Sequence, residues 1–189
     1  CTLFVVFCVA GQLWAQEEAV KQDFTENQEF KAETAKSKFL ALLHGFVPTT
    51  LVKIPGGYSE IGALKVGDPV ICVNSLGQIA QSKVTATRRF IATKTVCLSV
   101  GQEIIITNLS QPFFCHGIAK LVNIEALSLS SKLQSLQATT PEIQSLWAQQ
   151  LTTELVAISV ELHQNYCVTN ADIVVHNLAP VIAAPIVGK

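Results

Sequence analysis

The apolar positions of this chain change their spacing three times. Residues 1–11 are almost wholly apolar, Gln12 and Trp14 break the run, and a polar stretch starts at Gln16. From 17 to 43 Glu, Lys, Gln and Ala dominate, with Phe24, Phe30, Phe39, Leu40 and Leu43 as sparse apolar positions. That spacing is compatible with one or two helical pieces, or with a solvated spacer. After Leu43 the pattern becomes short β-branched runs separated by turn residues. Residues 50–54 predict a strand closed by Pro55-Gly56-Gly57, and 69–73 another closed by Asn74-Ser75-Leu76-Gly77. Further strands are predicted over 83–91, 95–100, 103–107, 155–162, 166–169 and 172–175. Residues 128–151 interrupt the series. Their apolar positions Leu129, Leu133, Leu136, Ile143, Leu146 and Trp147 predict a helical insertion or a long surface excursion.

Many short strands at this spacing indicate a mainly β domain, a sandwich or a barrel. The 189 residues fit one such domain with short appendages. Charged residues make up 14% against the ~25% usual in globular chains, and hydrophobic residues reach 49%. The formal net charge is −1, with no basic run. Nucleic acid is therefore not an expected partner, because phosphate binding needs clustered Lys and Arg.

The first apolar run is too short to span a bilayer as a helix but has the length of a signal-peptide core. A cleavage point after Ala15 would make 1–15 a signal peptide and 16–43 a spacer; a buried strand or a membrane anchor is the alternative. The chain has no Met and opens on Cys1, so we expect that the start, and with it a charged leader region, is missing. The expectation is a secreted, periplasmic or cell-surface protein with no stable membrane span after signal removal. Cys72, Cys97, Cys115 and Cys167 remain after that removal. They read as buried free thiols, or as up to two disulfides with three connectivities in an oxidising compartment. No metal spacing joins them to the histidines, and no cofactor is implied.

Three stretches, in order, resemble the Hint family, the autoprocessing fold of inteins and hedgehog proteins. The first is Gly45-Phe46-Val47-Pro48-Thr49-Thr50-Leu51-Val52, followed by Ile61-Gly62-Ala63-Leu64-Lys65-Val66-Gly67-Asp68-Pro69-Val70. It resembles the family's opening nucleophile, its L-V strand and its "I-x-x-L-x-x-G-D-x-V". The second is Glu103-Ile104-Ile105-Ile106-Thr107, running into Pro112-Phe113-Phe114, with Lys120-Leu121-Val122-Asn123-Ile124-Glu125-Ala126-Leu127 behind it. It resembles the strand leading to "T-x-x-H-P-F" and the "W-V-x-A-x-x-L" that follows. The third holds Val156-Ala157-Ile158-Ser159-Val160, Asn165-Tyr166-Cys167-Val168-Thr169 and Asp172-Ile173-Val174-Val175-His176-Asn177, and is similar to the closing strands and "I-L-V-H-N". The bacterial, polymorphic-toxin-associated branch is the nearest in pattern. The resemblance implies a pseudo-symmetric β fold over 44–177, with a helical insertion over 128–151 and a helical segment before the domain.

It also implies a chemistry, most of whose residues are substituted. The family opens with a thiol or hydroxyl that attacks the preceding carbonyl; that position is Gly45 here, and His44 before it is not the expected nucleophile. The family His that protonates the leaving nitrogen reads Gln111, with His116 too far along to replace it. Thr107 keeps the place of the assisting Thr, and an ordinary strand Thr is the alternative. A further family His position reads Gln164, next to His163. His176 and Asn177 survive. In the family the Asn amide cyclises onto its own carbonyl, so autocatalytic cleavage at Asn177–Leu178 is the most that chemistry of this kind can give here. Leu178 after the Asn rules out splicing. His176-Asn177 equally suits a hydrogen-bonding cap on the last strand.

The expectation is thus an exported bacterial protein with a degenerate Hint domain, inactive in splicing and acting as a structural or presentation module. Residual self-cleavage releasing a C-terminal partner is the second reading, and a secreted β-sandwich binding protein the third. Residues 178–189 form a short apolar tail, too short for a toxin domain; if the sequence is truncated here as at its start, a cargo domain would follow it.

Overall fold

A computed structural model describes residues 44–116, 120–138 and 140–176. The expected signal peptide, spacer and N-terminal helical segment lie outside the described residues, as do Asn177 and the tail. Twelve strands and two 3₁₀ turns fill the described residues. They are β1 (Leu51–Ile54), β2 (Gly57–Glu60), β3 (Pro69–Val73), β4 (Ile79–Ala92), β5 (Thr95–Val100) and β6 (Glu103–Thr107). The rest are β7 (Pro112–Cys115), β8 (Lys120–Asn123), β9 (Ile143–Gln149), β10 (Thr153–Val160), β11 (Asn165–Val168) and β12 (Ile173–His176). The expected mainly β class is what the chain adopts.

Turn chemistry sets the local pairings. Pro55 fixes its own φ and Gly56 takes φ 86°, the pair that a tight turn with a left-handed third residue needs. The β1–β2 hairpin closes on it, with Ile54 opposite Gly57. Asn74 caps the β3–β4 turn, its side-chain oxygen accepting from the N–H groups of Leu76 and Gln78.

The strands form a six-stranded sheet, ordered β2-β1-β11-β12-β7-β8, and two three-stranded sheets, β10-β4-β3 and β6-β5-β9. Phe46 joins the two smaller sheets. Its N–H donates to the Val156 carbonyl and its carbonyl accepts from the Val156 N–H, at 3.0 and 2.7 Å. On its other side it bridges Thr107. The Phe46 ring is fully buried and meets Phe113 and Tyr166 edge-on, each at 6.4 Å between centroids. These contacts tie the start of the domain to β7 and β11. The core around them holds Val52, Leu98, Ile105, Ile158 and Ile173, all fully buried.

Among the described residues of 128–151 there is no helix, so the expected helical insertion does not form there. Lys132, Leu133 and Ser135 make isolated bridges, and β9 pairs with β5 along its length. The three-to-four spacing of the leucines mimics a helical stripe. Their burial follows a different rule: Leu133 and Ile143 turn into the core while Trp147, on an edge strand, stays exposed. Pro141, just ahead of β9, and the run of Ser and Thr before it favour extended chain over helix.

Candidate functional site

Both ends of the domain converge on the turn after β6. Thr107 ends that strand fully buried, and its hydroxyl donates to the Gly45 carbonyl at 2.5 Å. The Asn108 side-chain oxygen accepts from the Gly45 N–H at 3.3 Å. The turn closes when the Gln111 N–H donates to the Asn108 carbonyl. Gln111, fully buried, then sends its side-chain amide to the carbonyls of Pro112, at 3.1 Å, and His176, at 2.9 Å. Five residues thus grip Gly45 with one end and the last described residue of β12 with the other.

Two imidazoles face this turn. His44 bonds to the Ser110 backbone and feels the charge of His176. His176 packs against Phe114, ring centroids 6.0 Å apart. Burial pushes both below the ordinary imidazole value of 6.5; for His44 the backbone bond opposes the shift and His176 adds to it. Burial thus favours the neutral form of both. His44 Nδ1, His176 Nδ1 and Gln111 Oε1 are buried without a hydrogen-bond partner among the described residues. Burying a polar atom this way costs about 1–3 kcal/mol.

Of the sequence-predicted site residues, the fold brings Gly45, Thr107, Gln111 and His176 together. Asn177 lies one residue beyond the described chain. Gln164 does not join them: it sits in the turn before β11 with φ 50° and is exposed. His163 lies in the same turn, so strand alternation does not govern where it points. His116 is exposed.

Gly45 is closed in from one side. A Cβ built there would lie 2.7 Å from the Val156 carbonyl oxygen and 3.1 Å from the Phe90 ring. The first of these is backbone and cannot rotate away, because the Phe46–Val156 pair holds it.

No family model matches this sequence, and no curated protein matches it either. Solved structures do match. A bacterial intein-like domain from Clostridium thermocellum superposes with a TM-score of 0.67 at 24% identity, covering 70% of this chain and 98% of that one. The fold is the Hint fold of inteins. A DnaB intein from Synechocystis sp. PCC 6803 gives 0.61 at 18% identity, covering 72% and 99%. The gp41-1 intein gives 0.58 at 20%, covering 71% and 98%.

The four cysteines after residue 44 are free and buried. Desolvation raises all four thiols, that of Cys167 to about 12, so none is a ready nucleophile. Two features had little sequence signal. Asn108 reads as a loop residue until its contact with Gly45 is seen. Asp172 accepts from Lys53 Nζ at 2.8 and 2.9 Å and from the Tyr58 hydroxyl at 2.8 Å, fastening the β1–β2 hairpin to the turn that launches β12.

Proposed function

We propose that this chain is an exported, degenerate Hint module that has lost the N-terminal acyl shift and serves as a structural or presentation unit. The observation that carries the reading is Gly45. The position supplies no thiol or hydroxyl, and the Val156 carbonyl occupies the space that a Cβ would need. Gln111 stands where a proton donor would be required, and an amide does not titrate. Export, through residues 1–15, and a cargo or toxin domain following the tail complete the proposal. Its likeness in pattern to the bacterial toxin-associated branch is what motivates the cargo.

One observation favours a second reading, self-cleavage at Asn177–Leu178. Gln111 holds the His176 carbonyl, and burial lowers the pKa of the His176 ring beside it. In that reaction the Asn177 side-chain nitrogen attacks the Asn177 carbonyl carbon. A succinimide forms, the bond to Leu178 breaks, and a proton from the attacking amide ends on the new amine of Leu178. Acid–base help of the kind His176 can offer is worth typically about 10²–10⁴-fold.

The test is a reporter fused after Lys189 and incubated for days near neutral pH. An intact fusion, matching an Asn177→Ala control, is the expected result. A fragment starting at Leu178, absent from the control, would replace the inactive reading with the second one.

A further inference from the structure

A groove of roughly 430 Å³ lies between β7, β11 and β12 on one side and the β3–β4 turn on the other. Its apolar walls are Val73, Phe114, Leu162 and Val174. Pairing puts these residues where the chain leaves the domain. Asn165, which also lines the groove, is opposite His176, and Val174 shares a strand face with His176. The Phe114 ring forms a wall of the groove and also packs against the His176 ring. Asn165 fixes the rim by exchanging two 2.8 Å hydrogen bonds with the Val73 backbone. Among the described residues, no Asp, Glu, Lys or Arg lines the groove.

We infer that this groove docks the segment of the chain that follows Asn177, residues 178–182, in extended form. This goes beyond the proposed function and holds whether or not the Asn177–Leu178 bond breaks. Three observations favour that occupant over a second copy or a foreign partner. The described chain ends at His176, which pairs with Asn165 and packs against Phe114, both of them lining the groove, so Leu178 is within two residues' reach at about 3.3 Å per residue. Residues 178–188 hold no Asp, Glu, Lys or Arg, which matches walls that hold none among the described residues. Pro180 and Pro185 bias the residues before them towards extended backbone, the form a shallow groove accepts. The consequence is a defined path for the tail, which orients whatever follows it.

The experiment uses the full chain with Asn177→Ala, so the tail stays attached and a failure to cleave cannot be confused with a failure to dock. A photo-crosslinking amino acid replaces Leu162, which is 78% exposed, or in a second sample Ser75, also on the groove. Irradiation followed by peptide mass spectrometry should join either position to the peptide holding 178–182, with a yield independent of protein concentration. Val181→Asp with Ile182→Asp should lower that yield by roughly ten-fold or more, since one buried apolar side chain is worth at least that factor in occupancy. Crosslinks to residues 16–43, crosslinks between copies, or no crosslink would each overturn the assignment.

Discussion

Gln111 donates its side-chain amide to the backbone carbonyl of His176 at 2.9 Å, across 65 positions of sequence. The Gln111 amide carries no titrating proton, so its hold on the end of β12 does not change with pH. Gln111→Ala removes that bond and the one to Pro112 and leaves two buried carbonyls short of a donor. We expect a loss of about 1–3 kcal/mol in urea unfolding, with a shift of the His176 ring resonances in NMR spectra. A variant as stable as the parent, with unmoved His176 signals, would show that the contact holds nothing.

Gly45→Ala should destabilise the domain by about 1–3 kcal/mol, because its Cβ must displace the Val156 backbone. Phe90→Ala added to it should not rescue stability, since the ring is the lesser of the two obstacles. Gly45→Cys should yield no thioester: incubation with hydroxylamine leaves the bond before residue 45 intact. Cleavage there would mean that β10 yields more easily than the Phe46–Val156 hydrogen bonds imply.

Much of this fold is written in local pattern, and the remainder depends on partners far away in the chain. The strands at 95–100 and 103–107 fall where their β-branched runs predict, because β5, the central strand of its sheet, is buried along nearly its whole length and β6 buries one face in the core. The local pattern predicts no strand at β2, β7, β8 or β9. Four residues around Pro112 read as a motif rather than a strand, and β9 is an edge strand whose polar face carries no alternation signal of its own. The site divides similarly. Gly45, Thr107, Gln111 and His176 were legible only because the resemblance gave their order. That the Thr107 hydroxyl reaches the Gly45 carbonyl depends on the Phe46 seam between two sheets, which no window of sequence contains. The Lys53–Asp172 pair, 119 positions apart, left no trace in local composition.

Asp172 combines an ion pair with a left-handed backbone, φ 51°. The two contributions separate by substitution. Asp172→Asn tolerates the backbone and weakens the bonds to Lys53 and Tyr58, at about 1–2 kcal/mol. Asp172→Ala adds the left-handed strain, about 1–2 kcal/mol more. Lys53→Met should cost little once Asp172→Asn is present, because the two residues act as one unit. Additive losses in chemical denaturation would show that the pair is not coupled.

The last expectation concerns pH. Burial holds His44 and His176 below 6.5 in the folded chain, whereas unfolding returns each to its ordinary value. Below that value the unfolded chain binds more protons than the folded one, so stability falls as pH falls. The contribution is complete above 6.5 and is lost as pH drops from 6.5 through the depressed folded values. Each histidine changes stability by at most about 1.4 kcal/mol per pH unit across that window. The charge of one ring disfavours protonation of the other, so the pair should titrate less steeply than two independent groups. Urea midpoints at about pH 7.5 and pH 5.5, a range that avoids most carboxylate titration, measure the effect. The parent should be less stable at the lower pH. His44→Gln and His176→Gln should each flatten part of the difference, and the double variant should remove most of it. A parent whose midpoint does not move between the two pH values would mean that the rings are solvated in solution, and that the turn after β6 does not close over them.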